Sequence, residues 1–206
     1  MATLGMLFHT HGLPKLKVLL LHDNRFGDAG LITLCAGLIR ATLRGVTCSL
    51  EVLGLSFNHV GPAGAEALSA ALSRGALPHL QRLNLNNNPL GNQGITALAP
   101  ALRKQRALCD VDLMACNISD KGVAAMCAGL VKGDFGLLHM VDLTNNKVTE
   151  QGCASLLSCL EQGWLPSLYS VHLELNPGLR TADGEHPAVA ALNAFLHRST
   201  RFELVA

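Results

Sequence analysis

Four carboxylates, Asp110, Asp112, Asp142 and Glu174, fall in the strand motifs of consecutive units of about thirty residues, Asp112 and Asp142 at the same motif position, and Arg82 is the cation nearest to them in that series. Paired carboxylates can do acid–base work, but only in a closed pocket that tunes their pKa values. Placed in one column of neighbouring strands about 4.8 Å apart, Asp112 and Asp142 would instead repel each other and suit a basic partner surface. A solvated acidic strip, screened by salt, is the plain alternative. Seven cysteines and nine histidines complete the reactive inventory. No C-x-x-C pair occurs and the histidines are scattered, so no metal site is expected. Cys109 and His139 share a column of successive units, which reads as coincidence. Cys35, Cys127, Cys153 and Cys159 fall in helical halves of the units and read as small core residues of a reduced, intracellular protein.

The elements that carry these residues are set by a repeat. The pattern L-x-x-[LV]-x-L-x-x-[NC] occurs as LKVLLLHDN, LEVLGLSFN, LQRLNLNNN, LCDVDLMAC, LHMVDLTNN and LYSVHLELN. These copies start at residues 16, 50, 80, 108, 138 and 168, steps of 34, 30, 28, 30 and 30, a period typical of solenoids built from strand-plus-helix units. Six residues after the Asn or Cys comes Gly30, Gly64, Gly94, Gly122 or Gly152. Apolar residues follow four and eight places later: Leu34 and Leu38, Leu68 and Leu72, Leu98 and Leu102, Met126 and Leu130, Leu156 and Leu160. That spacing puts each pair on one helical face. Gly27, Gly61, Gly91, Ser119 and Thr149 occupy an expected N-cap position, with Asp28, Asp120 and Glu150 among the residues that follow. Arg40, Arg74, Arg103, Lys104 and Lys132 are expected near helix ends, where they complement the dipole.

Over residues 16 to 196 the chain resembles the ribonuclease-inhibitor type of leucine-rich repeat protein, in both the strand motif and the helix motif, as in NHVGPAGAEALSAAL and NPLGNQGITALAPAL. The second phrase is equally similar to the repeats of NOD-like receptors and of Ran GTPase-activating proteins. The resemblance implies an α/β leucine-rich repeat solenoid, a right-handed horseshoe arc with a parallel sheet on the concave face and helices on the convex face. One domain over 1–206 is expected, with a half-repeat at 1–15, the six repeats, and a partial repeat at 202–206. The chain thus opens inside a helix and closes in a strand motif, either as capped ends or as an excerpt of a longer repeat protein. Asn24, Asn58, Asn88, Asn146 and Asn176 would turn inward onto the loop backbone of adjacent units, with Cys116 as the ladder residue of unit four.

In such a motif the positions flanking the fourth and sixth residues face the concave side. The candidate partner-binding residues are Arg82, Asn84, Asn86, Asn87, Asp110, Asp112, Met114, Met140, Asp142, Thr144, Asn145, His172 and Glu174. A second, apolar patch comprises Val18, Leu20, Val52 and Phe57. Two insertions, IRATLRGVTCS after Leu38 and PGLRTADGEHP after Asn176, are expected as loops; Arg180, Asp183, Glu185 and His186 make the latter a possible binding loop. Pro100 should bend the third helix. Trp164 reads as a packing residue.

A net charge of +1 gives no footprint for nucleic acid, and no run of about 18 apolar residues suggests a membrane span. No cofactor is implied, since the chain carries no G-x-x-x-x-G-K-[ST] phosphate loop. The expected function is that of a non-enzymatic module binding a protein partner on the concave sheet, the partner having a basic surface if the acidic strip is used. The resemblance offers three alternatives: a small-GTPase regulator, the sensor region of a NOD-like receptor, and ribonuclease inhibition. The long acidic tail of the first and the strict two-type alternation and cysteine density of the last are missing.

Overall fold

The computed structural model describes residues 2–11, 13, 15–181 and 184–201. The chain begins with helix α1 (Ala2–His11) and then alternates strand and helix: β1 (Val18–Leu20), α2 (Gly27–Leu43), β2 (Val52–Gly54), α3 (Pro62–Ser73), β3 (Arg82–Asn84), α4 (Gly91–Leu102), β4 (Asp110–Asp112), α5 (Asp120–Cys127), β5 (Met140–Asp142), α6 (Glu150–Glu161) and β6 (Ser170–His172). A 3-10 turn (Pro177–Leu179), a hairpin of β7 (Arg180–Thr181) and β8 (Gly184–Glu185), and helix α7 (Pro187–Arg201) complete it. The six long-period strands form one parallel sheet in chain order, and the helices pack behind it in the same order.

The core lies between these two layers. Leu50, Leu53 and Leu55 of the second unit are sealed from solvent, as are Leu80, Leu83 and Leu85, and Leu108, Val111 and Leu113. The helical pairs meet them from behind, and Leu192 and Leu196 of α7 close the last layer. A further column, Val60, Leu90, Ile118 and Val148, is fully buried two residues past the ladder position. Its apolar residues recur at the same period and were legible on that ground alone.

The ladder stitches each unit to the one before. Asn58 donates from Nδ2 to the Leu21 carbonyl (2.7 Å), Asn88 to Leu55 (2.9 Å), Asn146 to Leu113 (2.8 Å) and Asn176 to Leu143 (2.9 Å). The Oδ1 atoms accept backbone N–H groups of the preceding unit, for example Asn58 N–H and Val60 N–H on Asn88. Cys116 fills the same slot: its thiol donates to the Leu85 carbonyl at 3.2 Å, and burial pushes its pKa up to about 12. Asn24 departs from the expectation. It is exposed and its side chain bonds only carbonyls of its own unit, Leu21 and His22, because among the described residues no strand pairs with β1 on its other side.

Several expectations about helix ends are corrected. Of the five expected caps, only Thr149 caps its own helix with its side chain, accepting from Gln151 N–H. In units one and three the helix is entered one residue early, after Phe26 and Leu90. There Gly27 and Gly91 take φ of 60° and 58° and donate their N–H groups to the carbonyls of Asn58 and Cys116. Only glycine enters that left-handed region without penalty. In units one, three and four the residue after the expected cap instead reaches forward into the next unit. Asp28 Oδ1 accepts from Gly61 and Gly64 N–H (2.7 and 2.9 Å), Asn92 Oδ1 from Ser119 N–H (2.9 Å), and Asp120 Oδ1 from Thr149 and Gly152 N–H (2.8 and 2.9 Å). The glycine column is the reciprocal of this contact. A Cβ on Gly64, Gly122 or Gly152 would come within 2.7–2.8 Å of the oxygen of Asp28, Asn92 or Asp120.

The basic residues behave similarly. Arg103 donates to the carbonyl of Ala128, the C-cap of α5, and Lys104 pairs at 2.6 Å with the buried Asp134. Helix α5 stops at Cys127, so Leu130 is buried without being helical and Lys132 lies in the following loop, not in a helical last turn. Gly129 and Gly133, with φ of 70° and 97°, carry the chain away from the helix axis.

The first insertion is only partly a loop, from Arg44 to Ser49. It lengthens α2 to 17 residues against 12 in α3, because nothing before Gly45 breaks a helix. The second contains the β7–β8 hairpin, after which His186 Nδ1 accepts Ala188 N–H at the start of α7. Asp183 of the suggested binding loop, and the strand motif from Phe202, lie outside the described residues. Pro100 is exposed near the end of α4, two residues before its last, and Trp164 is half-buried against the core.

Candidate functional site

Because side chains alternate along a strand, the odd and even positions of each three-residue strand separate core from face. The central residues Leu53, Leu83, Val111, Val141 and Val171 point inward. The two flanking columns stand on the open side of the sheet in strict register. One runs Val18, Val52, Arg82, Asp110, Met140, Ser170, and the other Leu20, Gly54, Asn84, Asp112, Asp142, His172. A third column, His22, Ser56, Asn86, Met114, Thr144 and Glu174, follows two residues later.

Asn84, Asp112 and Asp142 share one device. Each accepts, through Oδ1, the backbone N–H two residues on, at Asn86 (3.0 Å), Met114 (3.0 Å) and Thr144 (2.8 Å). The third column is tied in as well: Asn86 Nδ2 donates to Asp112 Oδ2 at 2.9 Å and Thr144 Oγ1 to Glu174 Oε2 at 3.1 Å. Charge partners are sparse. Arg82 Nε is 3.6 Å from Asp110 Oδ2, and His172 Nδ1 is 3.8 Å from Asp142 Oδ2. Asp112 has no lysine or arginine within salt-bridge distance among the described residues. The carboxylates are therefore fixed mainly by neutral donors, which orient their charge without cancelling it.

A shallow groove of about 330 Å³ runs along this face, lined by Leu20, His22, Val52, Gly54, Ser56, Arg82, Leu83, Asn84, Asp110, Asp112 and Met140. It joins what sequence reasoning kept as two patches. Leu20 and Val52 share the groove with the acidic residues, whereas Val18 and Phe57 are not in its lining. Phe57, Asn87 and Asn145 all sit at one left-handed turn position past the strands, with φ of 56°, 53° and 55°, and belong to the rim beyond the two strand columns. Gly54 and Ser56, which belong to neither patch expected from the sequence, form part of the groove; the signal is a glycine where every other strand carries a side chain.

Cys109 and His139 are backbone neighbours, His139 N–H donating to the Cys109 carbonyl at 2.7 Å, but their side chains have other partners. Cys109 donates its thiol to the Ala107 carbonyl, while His139 lies against the Tyr169 ring, centroids 5.5 Å apart. Among the described residues no group of three His, Cys, Asp or Glu side chains is placed to hold a metal ion, and no helix is long and apolar enough to cross a membrane.

Comparison with known proteins gives the same repeat. The family described as Leucine Rich repeat matches residues 12–35, 47–69, 76–99 and 108–127. The chain is 30% identical to the ribonuclease inhibitor of Sus scrofa over 172 residues, 72% of this chain and 37% of that protein. It is 42% identical to the Tonsoku-like protein of Mus musculus over 130 residues, 63% of this chain and 9% of that protein. It therefore spans well under half the length of these relatives. Among solved structures, leiomodin-1 actin-binding site 2 shares the fold, with a TM-score of 0.56 at 12% identity, covering 98% of this chain and 92% of that one. With a leucine ladder, an asparagine ladder and forward-reaching helix caps in one register, the chain belongs to the ribonuclease-inhibitor type of leucine-rich repeat proteins.

Proposed function

We propose that this chain is a non-enzymatic interaction module that binds a protein partner on its concave sheet, within an intracellular assembly. The observation that carries the reading is the contrast between the two sides of the sheet. One side is a continuous leucine core, and the other holds three registered columns of half-exposed side chains that grade from apolar at β1 and β2 to acidic at β4 and β5. Repeat solenoids use such extended surfaces for binding. An open face offers no enclosed pocket to tune a catalytic acid or base, so the carboxylates suit recognition and not proton transfer. A ribonuclease inhibitor among the relatives, named for what it inhibits, supports a protein as the partner class.

The test compares two charge insertions at equal folding stability. Asn84→Arg with Met140→Arg alters the concave face, and Glu66→Arg with Gln93→Arg alters the exposed helix side. Partners captured by the parent and identified by mass spectrometry should be lost from the first variant and kept by the second. The reverse pattern would move the interface to the helices.

A further inference from the structure

The column Leu20, Gly54, Asn84, Asp112, Asp142, His172 has one gap, at Gly54. Leu20 leans across it, its Cδ2 lying 2.9 Å from where a Gly54 Cβ would be. With Val52 half-buried beside it, the dip has an apolar floor and wall inside the groove. At the other side of that groove stand Asp112 and, one strand on, Asp142, whose Cα atoms are direct partners in the parallel ladder. Their nearest polar contacts are the Asn86 amide, two backbone N–H groups and His172, with no lysine or arginine among them. An apolar dip and an uncompensated pair of carboxylates thus lie on one continuous surface at a fixed separation. Two strands separate Gly54 from Asp112 and three separate it from Asp142, so the midpoint of the pair is about 12 Å from the dip at ~4.8 Å per strand.

We infer that the groove takes an extended partner segment carrying an apolar side chain and, four residues away on the same face, a lysine or arginine: the apolar group seats on Gly54 beside Leu20 and Val52, and the cation lies between Asp112 and Asp142. Four residues of extended chain span about 13 Å, and even spacing keeps both side chains on one face. The cation neutralises two like charges that the fold holds in adjacent register, which favours basic over acidic partners and makes encounter salt-dependent. This inference rests on the concave reading above and narrows its partner to a segment with that spacing.

Random twelve-residue peptides displayed on phage and selected against the full chain test it directly. The enriched peptides should share an apolar residue and a Lys or Arg four places apart. Two variants then separate the anchors. Gly54→Val fills the dip and meets only the flexible end of Leu20, and Asp112→Asn with Asp142→Asn removes charge while keeping an acceptor for the backbone N–H groups. Each variant should weaken a selected peptide about tenfold, and a peptide whose basic residue is replaced by Ala should no longer respond to the Asn pair. Enrichment of another motif whose binding is abolished by Asn84→Arg with Met140→Arg would overturn this inference and leave the concave face standing. Peptides indifferent to every one of these concave substitutions, or no enrichment at all, would overturn it as well, and the former would count against the concave face too.

Discussion

Asp112 and Asp142 each do two jobs at the residue scale, and the two separate by substitution. Their Oδ1 atoms close a turn onto the backbone two residues on, while their charge projects into the groove. Exposed like charges in one column repel, so sequence reasoning expects replacement by alanine to leave stability unchanged or to raise it. The turn bonds alter that expectation. The double Ala variant loses two backbone hydrogen bonds worth about 1 kcal/mol each, against a smaller relief of repulsion. We predict a lower urea midpoint for Asp112→Ala with Asp142→Ala and a midpoint at or above the parent for the double Asn variant. The turn bonds were not legible because a strand pattern gives the face of a side chain and not its rotamer. The buried thiols give a pH prediction. Burial raises Cys35 and Cys116 from an ordinary value of 9.0 to about 12, so the folded state holds protons that the unfolded chain releases. Their contribution is complete below pH 9 and is lost as pH rises toward 12. Stability to urea should fall across that interval, and the fall should shrink in a Cys35→Ala variant compared with its own value at pH 7.

At the scale of elements, the positions of strands and helices follow from the leucine period, and the departures come from groups that act between units. Gly64, Gly122 and Gly152 recur in the sequence as a column without a stated cause; a Cβ there would meet both the side chain four residues earlier, Val60, Ile118 or Val148, and the oxygen of Asp28, Asn92 or Asp120 arriving from the preceding unit. A single unit gives no hint of the second contact, because the residue that needs the space is about thirty positions away. The same limit hid the pairing of Lys104 with Asp134, whereas the early end of α5 is local, at Gly129 with its φ of 70°. The lengthening of α2 has a local cause: Ala41, Thr42 and Leu43 are compatible with helix, so the first insertion becomes a loop only from Arg44 onward. Asp120 makes the fullest version of the forward cap, with Oδ2 also accepting from the Thr149 hydroxyl at 2.8 Å. Asp120→Ala should therefore destabilise by about 1–3 kcal/mol, since it removes the carboxylate acceptor of Thr149 N–H and leaves Gly152 N–H only its longer bond to the Thr149 carbonyl. Chemical denaturation measures this, and Glu150→Ala, an exposed residue at the start of the same helix, should cost about 0.5 kcal/mol or less.

For the whole molecule, stability is the sum of units and of the junctions between them. Leu85 is fully buried in the third unit, with neighbours on both sides. Leu85→Asp should cost several kcal/mol, about 4 or more, by placing an unpaired charge in the core. Circular dichroism on heating should show early loss of structure, and a melting temperature equal to the parent's would refute the register described above. Protection should also vary along the arc. The segment 128–137 follows the shortest of the repeat helices and contains two left-handed glycines, so its amides should exchange with deuterium faster than those of α3 and α4.

The junctions have a direction that bears on how such an array can lengthen. Every junction has a ladder group reaching backward, an Asn amide or the Cys116 thiol, and at three of the five a helix-start oxygen from Asp28, Asn92 or Asp120 reaches forward, so such a junction is made from one group on each side. A stretch of one period taken around such a junction, wherever its ends fall, carries one group of each kind. Copying that stretch in tandem at the level of the gene therefore creates a new junction that is already complete on both sides. An insertion of another length must be absorbed between a helix and the next strand, as the 34-residue first unit absorbs its extra residues in a longer α2 and the turn after it, whereas growth by whole repeats leaves every junction as it was and does not depend on what the protein binds.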